Sequence, residues 1–129
     1  MNKTSLKKLS TAMKELQTLA HEVDSTYPIQ VICGERGEED QRKAYEAGMS
    51  KLKFPNSAHN KHPSHAIDCI PDPDRNPGTA DFGDIEEFEK MCKHFEAAAE
   101  KLGIKIILGR DFRFKDFPHI EFVGFDLSK

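Results

Sequence analysis

Histidine and aspartate residues are concentrated in two short segments of this 129-residue chain. Three of its six histidines fall in residues 57–68, which end in Asp68, and another, His119, follows Asp116. A catalytic zinc ion takes three protein ligands, often histidines and carboxylates, and keeps a fourth position open for water. Two histidines and one carboxylate leave such a centre with a net charge of about +1, which suits it to stabilise hydroxide and polarise a carbonyl. The two segments therefore predict a zinc site.

The choice among the three clustered histidines depends on strand geometry. Residues 65–70 predict a strand, in which alternate side chains share a face. His65 and Asp68 are three positions apart, so they point to opposite faces and should not bind one metal together. His62 lies in the preceding loop and can reach either way. On these residues alone His59 has only a small advantage over His62, and both stay open.

Hydrophobic spacing predicts the elements that must hold these residues. Apolar side chains at steps of three and four indicate helices, and short apolar runs between turn residues indicate strands. Thr4 or Ser5 is expected to cap the first helix. The helices are expected over residues 5–23, 38–47 and 84–102, the strands over 29–33, 65–70, 104–108 and 119–123, and loops over 49–63, 71–83 and 109–118. This order predicts an α+β fold, a small antiparallel sheet with helices packed on it.

Length, charge and hydropathy exclude several classes of protein. A chain of 129 residues and 14.6 kDa has the size of one domain, so residues 1–129 are expected to form a single domain. With 19 basic and 22 acidic side chains the net charge is -3, which argues against a basic nucleic-acid module. No apolar run approaches the ~20 residues that cross a bilayer. Lys14 and Glu15 interrupt the N-terminal apolar pattern, so no secretory signal is expected.

The three cysteines, Cys33, Cys69 and Cys92, are widely spaced and form no CxxC motif. Such a set is typical of reduced, semi-buried thiols in a protein made in the cytoplasm. Nothing in the local sequence indicates a cysteine nucleophile.

Three sequence blocks resemble the zinc peptidoglycan peptidases. This family includes D-Ala-D-Ala carboxypeptidases and the L-alanyl-D-glutamate endopeptidases of phage endolysins, which share a fold with the Hedgehog signalling domain. Residues 57–71, SAHNKHPSHAIDCIP, resemble a longer-loop form of its Ser-x-His…Ala-x-Asp signature. Residues 116–121, DFPHIE, resemble its Asp-x-Pro-His-x-Glu block. Upstream, residues 33–36, CGER, with Gln41, Tyr45 and Gly48, are similar to its Gly-x-Arg…Gln…Gly segment.

The chain departs from the family pattern in two ways. The spacing between His59 and Asp68 is two residues longer than usual, which leaves His62 as a rival ligand. The tryptophan usually found before the second block is absent, and Phe112 and Phe114 are the candidates to replace it. The first departure concerns the ligand set and the second concerns the shape of the substrate cleft.

The resemblance implies a role for each matched polar side chain. His59, Asp68 and His119 would bind zinc, and Asp116 would be the general base that takes a proton from water and passes it to the leaving amine. Arg36 would stabilise the oxyanion or hold a substrate carbonyl. The simpler alternatives are a solvent-facing Asp116 and a surface ion pair between Arg36 and a neighbouring glutamate.

Three further residues are expected to support this set. Ser57 would hydrogen-bond the substrate, and Gln41 would pack or bond near Arg36. Glu121 lies two residues after His119 on the same strand face. It would either orient that ligand or form a cross-strand ion pair.

The resemblance implies a zinc peptidase that cuts the peptide stems of bacterial peptidoglycan, most simply an L-alanyl-D-glutamate endopeptidase of the endolysin type. A D-Ala-D-Ala carboxypeptidase and a non-catalytic, zinc-containing wall-binding or virion module are the alternatives. An endolysin would be made in the cytoplasm of the infected bacterium, released by a holin, and act on the cell wall as a monomer. It would need no separate wall-binding domain, no nucleic acid and no membrane insertion.

Overall fold

The computed structural model describes residues 1–75 and 84–128. Its elements are the helices α1 (Lys3–Leu9), α2 (Lys14–Asp24), α3 (Glu38–Glu46) and α4 (Ile85–Leu102), the strands β1 (Ile29–Cys33), β2 (Ala66–Pro71), β3 (Ile104–Leu108) and β4 (His119–Phe125), and 3₁₀ turns at Ala58–Asn60 and Gly109–Asp111. The strands form one antiparallel sheet in the order β1-β2-β4-β3. The predicted α+β class is confirmed.

The single helix predicted over residues 5–23 is wrong, because the chain breaks into α1 and α2. The apolar stripe continues through both helices, but Thr11 uses its hydroxyl to bond back to the Lys8 carbonyl. The backbone between the helices instead pairs with the loop before β2, where the Ser64 amide donates to the Thr11 carbonyl at 3.0 Å and the Met13 amide donates to the Ser64 carbonyl at 2.9 Å. The break therefore anchors the loop that precedes β2.

The predicted cap of the first helix is also wrong. Asn2 is the N-cap of α1, and its side chain accepts the Ser5 amide at 2.8 Å. Ser5 is buried instead, and its hydroxyl accepts the amide of Val31 in β1 at 3.1 Å. The hydroxyl that could have capped the helix therefore ties α1 to the sheet.

The helices α2 and α4 cover one face of the sheet. Ile67 and Cys69 of β2 and Ile120 of β4 belong to the buried cluster, together with the apolar stripes of both helices. Each fully buried large apolar side chain stabilises the fold by roughly 1.5–3 kcal/mol. Because side chains alternate along a strand, Asp68 and His119 point to the face away from this cluster.

The predicted loop over residues 71–83 lies partly outside the described residues. Its described part is an ordinary turn, in which Asp72 accepts the Asp74 amide at 2.9 Å and pairs with Arg75. Within residues 1–75 and 84–128, no helix has the length and apolar character needed to span a bilayer.

Candidate metal centre and active site

Strand register sets the first part of the candidate site. In the β2–β4 pair Asp68 lies opposite His119, and in the β1–β2 pair Cys33 lies opposite Asp68. These polar residues therefore form one row across three strands. Two residues of the predicted ligand set are fixed by hydrogen-bonded sheet rather than by a loop.

His59 reaches this row from the 3₁₀ turn at Ala58–Asn60. Ser57 caps the turn by accepting the His59 amide at 3.2 Å, and the Asn60 side chain accepts the Ser57 amide at 3.0 Å. The His59 side chain is only 2% exposed, and its Nδ1–H donates to the Gly34 carbonyl at 2.7 Å. This hydrogen bond leaves Nε2 facing the sheet.

Gly34 is required at this position by close approach. A Cβ atom on Gly34 would lie 2.2 Å from the Lys8 carbonyl oxygen and 2.2 Å from the Thr11 hydroxyl. Only glycine lets β1 end against α1 with its carbonyl aimed at His59.

His119 is oriented by a side chain instead of by the backbone. Its Nε2–H donates to Glu121 Oε1 at 2.9 Å, which leaves Nδ1 facing Asp68. The Phe112 ring packs against the His119 ring with 5.4 Å between centroids. A carboxylate on the far nitrogen of a histidine is the usual way in which proteins orient a metal-binding imidazole.

Both histidines converge on one carboxylate oxygen. His59 Nε2 lies 3.3 Å and His119 Nδ1 lies 3.6 Å from Asp68 Oδ1. Although the first pair is close, neither His59 Nε2 nor Asp68 Oδ1 makes a hydrogen bond, and both atoms are buried. Unsatisfied buried polar atoms are costly, so a cluster of this kind indicates a site for a bound cation.

The charges of the three residues are strongly coupled. Burial opposes the charged form of Asp68, but the two histidines hold the pKa of its carboxyl well below the ordinary value. Burial likewise opposes protonation of His59, but Asp68 and Cys33 raise its pKa to about 10. A metal ion that binds here must displace a proton from His59, so metal affinity falls as the pH is lowered.

Asp116 is held beside this cluster by a tight turn. The Asp116 amide donates to the Gly109 carbonyl at 2.9 Å, and a Cβ atom on Gly109 would lie 1.9 Å from the Asp116 carbonyl oxygen. A carboxylate oxygen of Asp116 lies within 4.8 Å of ligand atoms of Asp68 and His119. Burial and the charge of Asp68 raise the pKa of the Asp116 carboxyl above its ordinary value. Asp116 is therefore half-buried beside the cluster rather than fully exposed.

Arg36 lies on the other side of Asp68. Its guanidinium donates to Gln41 Oε1 at 3.0 Å and approaches Asp68 Oδ2 at 3.5 Å, so the alternative of a surface ion pair with a neighbouring glutamate is not observed. Gln41 is fully buried, and its amide nitrogen donates to the Leu52 carbonyl at 2.6 Å and to Ser50 at 2.9 Å. This fixes the guanidinium at the edge of the cluster.

A cleft of about 540 Å³ opens above these residues. Its walls come from the loop after α3 and the loop before β4, and its floor holds the polar cluster. The lining includes Arg36, Lys51, Ser57, His59, Asp68, Phe112, Phe114, Lys115, Asp116, His119 and Glu121. A cleft of this size accommodates a short peptide segment.

Similarity to known proteins identifies the family of this chain. A family model described as phage L-alanyl-D-glutamate peptidase matches residues 1–123. This chain belongs to the phage L-alanyl-D-glutamate peptidase family. The family membership confirms the resemblance carried by the three sequence blocks.

Two individual proteins show how far the similarity extends. The chain is 34% identical over 122 residues to the L-alanyl-D-glutamate peptidase of Escherichia phage T5, covering 92% of this chain and 85% of that protein. The crystal structure of the L-Ala D-Glu endopeptidase ChiX of Serratia marcescens matches with a TM-score of 0.79 at 22% identity, covering 95% of this chain and 89% of that one. This second likeness establishes the fold.

In this member of the L-alanyl-D-glutamate peptidase family, the rival histidines lie away from the cluster. The His62 side chain is 88% exposed and pairs with Glu35, and His65 is exposed. The structure therefore brings His59, and not His62, to Asp68 and His119.

Cys33 is the residue of this site that sequence reasoning missed. Its sulfur lies 3.8 Å from His59 Nδ1 and 3.6 Å from the Arg36 guanidinium, and Cys33, His59 and Asp68 form one of two candidate metal-binding groups among the described residues. The sequence could have indicated Cys33, because it directly precedes Gly34 in the CGER block that matches the family. Cys69 and Cys92 are buried free thiols in the apolar core, as expected for structural cysteines.

Proposed function

We propose that this chain is an L-alanyl-D-glutamate endopeptidase that cuts the peptide stems of bacterial peptidoglycan and uses zinc. Family membership supports the reaction class. The observation that carries the proposal is that two histidines converge on the unsatisfied Asp68 Oδ1, His59 through Nε2 and His119 through Nδ1. Each imidazole has one nitrogen occupied by a fixed acceptor, so the other is free to bind a cation.

The residues present fit zinc. His59, Asp68 and His119 would hold it, and this combination of imidazole nitrogen and carboxylate oxygen is one that catalytic zinc favours. When bound, zinc supplies Lewis-acid polarisation of a carbonyl group and lowers the pKa of water. Glu121 and the Gly34 carbonyl keep the imidazoles in the required tautomers.

Asp116 is the proposed general base. It takes a proton from the attacking water and delivers it to the nitrogen of the leaving D-glutamyl residue. Its raised pKa favours this role, because a carboxylate with a higher pKa is a stronger base toward the attacking water and is more readily protonated before it passes the proton on.

Arg36 is the proposed electrostatic partner of the developing oxyanion. Its guanidinium lines the cleft and is already held by Gln41, so it needs little reorganisation during the reaction. Ser57 also lines the cleft, but its hydroxyl oxygen accepts the His59 amide. Its proposed contact with the substrate would use the hydroxyl hydrogen.

The cellular setting follows from an endolysin role. We propose synthesis in the cytoplasm of a phage-infected bacterium, release to the wall through a holin, and action as a monomer.

The test is digestion of purified peptidoglycan by the zinc-loaded protein, with mass spectrometry of the new termini. We expect new N-terminal D-glutamate, and Asp116→Asn should lower the rate about 10²–10⁴-fold while zinc remains bound. Asp111→Asn is the matched control, because Asp111 is an exposed carboxylate in the same loop that pairs with Arg110. New termini at another bond, or an active Asp116→Asn variant, would contradict the proposal.

A further inference from the structure

The cleft carries a cation that the proposed mechanism does not use. Lys51, in the loop after α3, lines the cleft, and its ammonium group lies 5.3 Å from the centroid of the Phe114 ring in the loop before β4. Lys51 and Phe114 therefore lie close together at the mouth of the cleft. Within residues 1–75 and 84–128 no carboxylate forms an ion pair with Lys51.

The other cations that line the cleft have protein partners. Arg36 is held by Gln41 and Asp68, and the ammonium group of Lys115 donates to the Arg110 carbonyl at 2.9 Å. An aromatic face stabilises an exposed ammonium by only about 0.5–1 kcal/mol. Lys51 is therefore the cation at the cleft that can exchange its present contact for a ligand at the smallest cost.

The substrate of the proposed function supplies a matching group. Glutamate has two carboxyl groups, and only one of them can continue a peptide chain beyond the scissile bond. Whichever one does so, the other remains as a free carboxylate on the residue that leaves as the new N-terminus. Where this second carboxyl is unmodified, cleavage of an L-Ala–D-Glu bond therefore places a negative charge a few atoms from the reacting carbonyl.

We propose that Lys51 is a specificity-determining residue that binds the free carboxylate of the D-glutamyl residue. The inference rests on the proposed function, since it concerns the same cleft and the same bond. The Phe114 ring holds the ammonium group at the mouth of the cleft before substrate arrives. A charge-assisted hydrogen bond is stronger than one between neutral groups, so the contact selects for charge at this position.

The test compares two peptides that differ at one group. Both contain the L-Ala–D-Glu bond, and in the second the free glutamyl carboxyl is converted to the carboxamide. Wild type should cleave the carboxylate peptide with roughly tenfold higher kcat/KM, as expected for one hydrogen bond to a charged group. Lys51→Met should lose this preference by slowing cleavage of the carboxylate peptide alone, with an unchanged melting temperature.

Lys53→Met is the matched control. Lys53 is two residues away on the same loop and lies 5.1 Å from the Tyr45 ring centroid, but it does not line the cleft. This variant should keep the wild-type preference.

Three results would overturn the inference. They are equal cleavage of both peptides by wild type, a preference that survives in Lys51→Met, and a preference lost in Lys115→Met instead. Failure of wild type to cleave either peptide would instead refute the proposed function, so the two failures are distinguishable.

Discussion

The two histidines of the candidate metal centre are oriented by different means. His59 donates Nδ1–H to a backbone carbonyl, that of Gly34, whereas His119 donates Nε2–H to a side-chain carboxylate, that of Glu121. The first contact joins residues 25 positions apart, and the second joins residues two apart on one strand. The comparison shows that one ligand depends on tertiary structure around β1 and the other on local strand geometry.

Replacing Gly34 should have the larger effect. In Gly34→Ala the new methyl group meets backbone and side-chain oxygens at 2.2 Å, so either α1 or the end of β1 must move. We expect a loss of about 1–3 kcal/mol in the free energy of unfolding. Zinc affinity should fall by roughly 100-fold, the upper end of the cost of disturbing the hydrogen-bond partner of a metal-binding histidine. Thermal melting and chelator competition measure the two quantities.

Gly37→Ala is the control for this change. A Cβ atom on Gly37 would have nothing within 4 Å, and its φ of -77° suits any residue. The cost should be at most about 1 kcal/mol, the difference between glycine and alanine as a helix N-cap, with zinc affinity unchanged. If Gly34→Ala behaved like Gly37→Ala, the backbone contact would not position His59.

Replacing Glu121 should have a smaller effect, confined to the metal. Glu121→Gln keeps an oxygen that can accept the His119 N–H but removes the charge. Zinc affinity should fall about 10- to 100-fold, with little change in melting temperature. Asp40→Asn, which removes one charge from the exposed face of α3, should leave zinc affinity as in wild type. If zinc affinity were unchanged in Glu121→Gln, Glu121 would form an ion pair with His119 but would not orient it as a metal ligand.

The same comparison shows what the sequence could reveal. The period of two along a strand was enough to place Glu121 with His119 and to separate Asp68 from His65. The contact between Gly34 and His59 could not be derived this way, because it depends on a bond between a loop and a strand end. The helix break between α1 and α2 was missed for a similar reason, since the apolar stripe continues while the intervening backbone pairs with the loop at Ser64.

Other parts of the site lay beyond pattern reasoning. The matched CGER block placed Cys33 beside a motif residue, but its contact with His59 follows from the register of β1 and β2. The approach of Lys51 to Phe114 joins two loops that are 63 positions apart in the chain. Family motifs supplied the ligand candidates, but only the folded chain distinguished His59 from His62.

Anomalous X-ray diffraction at the zinc edge, on crystals of the zinc-loaded protein, tests the central claim most directly. We predict one peak within bonding distance of His59 Nε2, Asp68 Oδ1 and His119 Nδ1, with Cys33 and His62 outside it. A peak bound by the Cys33 sulfur or by His62, or no peak on Asp68, would contradict the account.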